Sequence, residues 1–134
     1  MTAPALHLGE CVAGACAPVP GLREAALAWL PEGLLLGGVG EGRAFDREPL
    51  VRCAARALCG GTVKSSLSTH LTTFVEHLFV GHGELVVILR GVRYPRLALA
   101  ISCTHDTNPA FVMSSSRSAL RSLETTLDLA AWEV

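Results

Sequence analysis

Apolar and polar positions change their period several times along the chain, and each change marks an element. Residues 5–16 mix Ala, Leu, His, Glu and Cys before Pro18, Pro20 and Gly21. That reads as a short helix stopped by prolines. Leu22 to Leu30 reads as a strand. Leu30-Pro31-Glu32-Gly33 has the composition of a turn, and Leu34 to Val39 returns as the second arm of a hairpin. Gly40 to Phe45 is a loop. Asp46 suits a helix N-cap, with Glu48 and Pro49 in the first turn. The helix runs at least to Cys59. Leu50, Val51, Ala54, Ala57 and Leu58 share one face; Glu48, Arg52 and Arg56 share the other. Gly60-Gly61 either stops it or kinks it into Lys64 to Thr73.

From Phe74 the period shortens again. Phe74 to Val80, Glu84 to Leu89 and Arg96 to Cys103 read as three strands, joined by turns at Gly81-His82-Gly83 and at Arg90 to Pro95. Leu85 to Leu89 and Leu97 to Ile101 are continuously apolar, as strands covered on both faces are. Asn108-Pro109 opens a last helix, with Asn as N-cap and Pro at the first helical position. Its apolar stripe is Val112, Ala119, Leu120, Leu123 and Leu127. Arg117, Arg121, Glu124 and Asp128 line the other side. The order αββαβββα predicts an α/β (α+β) fold. It has a five-stranded antiparallel sheet, the middle helix crossing one face and the terminal helices covering the other.

Composition narrows the function. The 134 residues suit one domain, residues 1–134. Half are hydrophobic and 17% are charged, which excludes disorder and hints at apolar surface for a partner. Eleven basic residues against twelve acidic ones leave a net charge of −1, so there is no footprint for nucleic acid or an anionic membrane. Lys64 is the only lysine. The most apolar stretch, Ala25 to Gly40, is broken by Pro31 and Glu32, so no membrane insertion is expected. Met1 to Gly14 carries no Lys or Arg, which argues against a signal peptide and for a cytoplasmic protein. Cys11, Cys16, Cys53, Cys59 and Cys103 are odd in number and lack a C-x2-C pair, as expected of buried free thiols.

The chemistry-bearing motifs fall short of enzymes. Gly37-Gly38-Val39-Gly40-Glu41-Gly42-Arg43-Ala44 nearly matches a phosphate loop. Arg43, however, replaces its lysine and Ala44 its magnesium-binding hydroxyl. Cys103, His105 and Asp106 cluster in sequence, whereas catalytic partners usually meet from separate elements. His70, His77, His82 and His105, with Cys103 and Glu76, show no metal-ligand spacing. No catalytic residue, cofactor or metal is expected.

Val19-Pro20-Gly21-Leu22, Pro31-Glu32-Gly33-Leu34-Leu35, Gly83-Glu84-Leu85-Val86-Val87 and Asn108-Pro109-Ala110 resemble segments of the roadblock/dynein light-chain superfamily. The element order resembles it over nearly the whole chain. The resemblance implies a non-enzymatic dimeric adaptor or regulator that binds a small Ras-like GTPase, as the bacterial polarity and gliding-motility regulators do. An alternative is a small-molecule-sensing or scaffold domain of profilin-like architecture.

The candidate sites follow. Arg52 and Arg56, with Glu48 a turn earlier, read either as a solvated helix face or as an Arg-bearing face that docks the partner. The third strand begins the meander and so lies at a sheet edge; Phe74, Glu76, Leu78 and Val80 are candidates for pairing with a second copy. Ala55 and Cys59 are small enough for the middle helices of two copies to approach. A homodimer and a heterodimer with a related subunit are equally compatible with this pattern.

Overall fold

The computed structural model describes residues 8–40, 48–60, 76–81 and 83–131. Its elements are α1 (Leu8–Cys16), β1 (Leu22–Trp29), β2 (Leu34–Gly40), α2 (Glu48–Ala55), β3 (Glu76–Gly81), β4 (Glu84–Arg90), β5 (Leu97–Thr104) and α3 (Pro109–Ala131). α2 passes directly into a π-helical turn over Arg56–Gly60. The expected N-cap Asp46 and the stretch Lys64 to Thr73 lie outside the described residues, as does Phe74. The third strand accordingly starts at Glu76.

The five strands form one antiparallel sheet in the order β2-β1-β5-β4-β3. β5 is central, between β1 and β4, and shows why its sequence is apolar throughout. Leu97, Leu99, Ile101 and Cys103 face one layer, and Ala98 and Ala100 the other; all six are buried. Helices α1 and α3 cover the first face and α2 the second, the arrangement expected from the element order. The two layers use different side chains. Leucines and valines fill the space beneath α1 and α3. Ala26, Ala28, Ala98 and Ala100 floor the α2 side, so that a single helix carrying Leu50, Val51 and Ala54 packs closely on the sheet.

Two glycines hold elements together. Gly37 lies in β2, where a Cβ would stand 2.8 Å from the Leu8 carbonyl carbon, so the bare backbone lets α1 rest on the strand. Gly21 has φ +67°, a conformation glycine adopts freely, and its N-terminal stretch meets β5 where Thr104 N–H donates to its carbonyl. Gly37, Gly38 and Gly40 are therefore strand residues rather than a phosphate cradle.

One expectation is corrected. Glu124 does not line the solvent side of α3: it is 4% exposed. It turns toward the β4–β5 connection and accepts hydrogen bonds from the backbone N–H groups of Val92 (3.3 Å), Arg93 (2.7 Å) and Tyr94 (2.8 Å). Asp128, one turn later, accepts from the Tyr94 hydroxyl and pairs with Arg93. A tight loop whose N–H groups point inward needs an acceptor, and a carboxylate is the strongest available. At the start of α3, Asn108 behaves as an N-cap, its Oδ1 accepting from Ala110 N–H at 2.9 Å. No helix among the described residues is long and apolar enough to cross a membrane.

Candidate interaction surfaces

β3 is hydrogen-bonded to β4 on one side, and among the described residues no strand pairs with its other side. Leu78, Phe79 and Val80 are exposed, at 43%, 41% and 74%. Three consecutive large apolar residues exposed on an open edge are a ready template for pairing with another chain. Alternation divides the strand. His77 and Phe79 sit opposite Ile88 and Val86 and face the α2 layer. Glu76, Leu78 and Val80 sit opposite Leu89, Val87 and Leu85 and face the α3 layer.

On the α2 side a groove of about 650 Å³ runs between the helix and the strand. Pro49, Arg52, Cys53, Arg56 and Ala57 line it from the helix, and His77 and Phe79 from the strand. The two rings stack with parallel planes, their centroids 5.6 Å apart. The i, i+4 spacing of Pro49, Cys53 and Ala57 sets small side chains along the groove, while Arg52 and Arg56 rise at its rim. Among the described residues neither Arg52 nor Arg56 has an ion-pair partner, and Glu48 does not pair with Arg52. Burial pushes the Cys53 thiol up and Glu84 adds to this, while Arg56 opposes it.

On the α3 side, Arg117 grips Glu76 through two hydrogen bonds of 2.6 and 2.7 Å. These hold the Glu76 carboxyl below its usual range, against a smaller opposing effect of burial.

The structure thus brings Arg52 and Arg56 beside the open strand, while the residues expected at a dimer seam are divided between faces. Glu76, Leu78 and Val80 belong to the opposite face. Ala55 packs near Gly33 of the β1–β2 turn, on the flank of α2 away from β3. The small residues that face the strand are Cys53 and Ala57. Cys59 lies in the π-helical turn. Phe79 and His77 were missed as groove residues; alternation from Glu76 was the available signal.

The candidate chemistries do not assemble. Cys103 is buried in the α1–α3 layer and burial pushes its thiol up to about 11, whereas His105 and Asp106 are exposed. Among the described residues no three His, Cys, Asp or Glu side chains cluster as metal ligands would.

Solved structures share this architecture. The chain superposes on a Roadblock/LC7 domain from Streptomyces avermitilis with a TM-score of 0.73 at 13% identity, over 89% of this chain and 96% of that one. The chain has the roadblock fold. Myxococcus xanthus MglB gives a TM-score of 0.74 at 13% identity, covering 93% and 98% of the two chains. An MglB described as having a tetrameric arrangement gives 0.74 at 16% identity, covering 97% and 94%. No protein-family model and no curated protein matches the sequence. At 13–16% identity the likeness shows the fold alone, so the grooves of this chain are read from its own residues.

Proposed function

We propose that the protein is a non-enzymatic regulator that pairs with a second copy through β3 and binds a small Ras-like GTPase on its α2 face. The observation that carries this is the groove in which Arg52 and Arg56, without ion-pair partners among the described residues, rim an apolar strip beside an open sheet edge. Pairing of β3 with its twofold copy satisfies the open N–H and C=O groups and extends the sheet to ten strands. Arg52 and Arg56 then stand on a surface shared by two chains. Arginine is favoured at interface hot spots because its planar fork pairs carboxylates in two places while its stem packs on apolar surface. The partner's identity as a GTPase rests on the resemblance to roadblock proteins and on the likeness to the MglB fold. In that role the regulator biases the switch segments of the GTPase, which supplies the phosphate-binding and catalytic groups itself.

The test is a pull-down from host lysate in the presence of a non-hydrolysable GTP analogue, with captured proteins identified by mass spectrometry. A small GTPase retained with GTP analogue and lost with Arg52→Glu/Arg56→Glu supports the reading. Stoichiometric capture of another protein in place of a GTPase refutes it.

A further inference from the structure

On the face opposite α2, two helices must cover five strands. Neighbouring strands lie about 4.8 Å apart and packed helices about 8–10 Å apart, so each helix shields roughly two strands. α1 lies over β2 and β1, and α3 over β4 and β5. β3 is left over. Its residues on this face are Leu78 and Val80, both exposed, and Glu76, whose charge Arg117 neutralises. Beside the Glu76–Arg117 pair the floor deepens into a cavity of about 190 Å³, where Leu89, Val92 and Leu120 supply apolar surface between the charged side chains of Arg90, Arg121 and Glu124. Val92, 85% exposed, is held at the rim of this cavity because Glu124 and Asp128 pin its loop. The guanidinium of Arg121 makes no ion pair among the described residues.

The next step rests on the dimer of the preceding section. Twofold pairing through β3 sets two bare strands side by side. Together they are about 10 Å wide, the width of one α-helix. The copies of α3 stand on either side as walls. We infer that each dimer binds one amphipathic helix of a partner protein in this trough. The apolar stripe of that helix lies on Leu78 and Val80 of both copies. A large apolar side chain enters the cavity beside Val92, and acidic flanking residues meet Arg121 on both walls. The width selects a helix, the exposed leucine and valine select its apolar face, and the Arg121 guanidinium on each wall selects acidic flanks. This surface lies on the opposite side of the sheet from Arg52 and Arg56, so both partners fit at once.

The probe is a designed peptide of about 18 residues, five helical turns, with leucines at helical spacing and glutamates on both flanks. A second peptide carries lysines in place of the glutamates. Sedimentation velocity on the protein alone comes first, and a monomer overturns both the dimer and the trough. With a dimer established, fluorescence titration should show the glutamate peptide binding at one per two chains. The lysine peptide should bind about ten-fold or more weakly, and Arg121→Glu and Val92→Glu should each lose a similar factor while remaining dimeric. A dimer that ignores the glutamate peptide overturns this inference alone. So does one that binds both peptides equally, or that ignores them and instead floats with phosphatidylserine vesicles.

Discussion

Replacing Glu124 tests how the chain fixes the loop that shapes the α3-side surface. The carboxylate accepts three backbone N–H groups, two on Oε2 at 2.7 and 2.8 Å and one on Oε1 at 3.3 Å. Hydrogen bonds to a charged acceptor are worth about 1.5–3 kcal/mol each by mutation, but they are not additive. Arg93 and Val92 are exposed, so water takes over part of what Glu124→Ala releases. The long third bond adds little. The truncation also empties a buried site between α3 and the loop. Together these place the loss at about 2–4 kcal/mol. Glu124→Gln keeps the shape and can offer its carbonyl to the two short donors. It loses the charge and sets its NH₂ against Val92 N–H, for a cost of about 1–2 kcal/mol. Urea unfolding followed by far-ultraviolet circular dichroism gives both values from the midpoint and slope. If Glu124→Ala shifts stability by less than about 0.5 kcal/mol, the ordinary range for a surface change, the carboxylate is not holding the loop.

Four further outcomes are expected. Arg52→Glu with Arg56→Glu should leave the unfolding free energy within about 0.5 kcal/mol of wild type, since both side chains are exposed, yet weaken GTPase binding by ~1–3 kcal/mol in a calorimetric titration. Gly37→Val should cost about 1–3 kcal/mol by driving α1 from β2, because its Cβ would stand 2.8 Å from the Leu8 backbone, and a wild-type midpoint would refute that contact. The Glu76 carboxyl is lowered from 4.5 by Arg117, so its contribution is complete above that value and is lost as the pH falls through the lower folded value. Arg117→Ala should therefore flatten the fall in stability below pH 4.5, by a small amount because the pair is partly exposed and screened; an unchanged acid limb counts against the pair. Burial pushes the Cys16 and Cys103 thiols up to about 11, Cys103 adding to the effect on Cys16. Both should resist a thiol reagent at pH 8 until the protein unfolds, when all five cysteines of the sequence should titrate; a count of three would reveal a disulfide.

Local pattern by itself determined the elements and their order. Pro18 and Pro20 end α1, Asn108 and Pro109 start α3, and the unbroken apolar runs of β4 and β5 announce strands covered on both faces. These signals are legible because each depends on neighbours within a few residues: a cap, a turn, a period of two or 3.6. The edge position of β3 also followed, since a strand that opens a meander after a crossover has one natural partner. Tertiary structure decided which face each residue serves. Glu124 has the spacing of a surface residue on α3, and only the approach of the β4–β5 loop, some thirty positions away, supplies the N–H groups that justify its burial. Ala55 and Cys53 are both small residues two apart on one helix, but the placement of α2 over β1 and β5 turns the first toward Gly33 and the second toward β3. The alternation of β3 was visible, yet which set faced the arginines was not, because a one-residue change of register exchanges the faces of a strand completely. Hence Arg52 and Arg56 were identifiable as candidates, whereas their companions His77 and Phe79 depended on the register between β3 and β4.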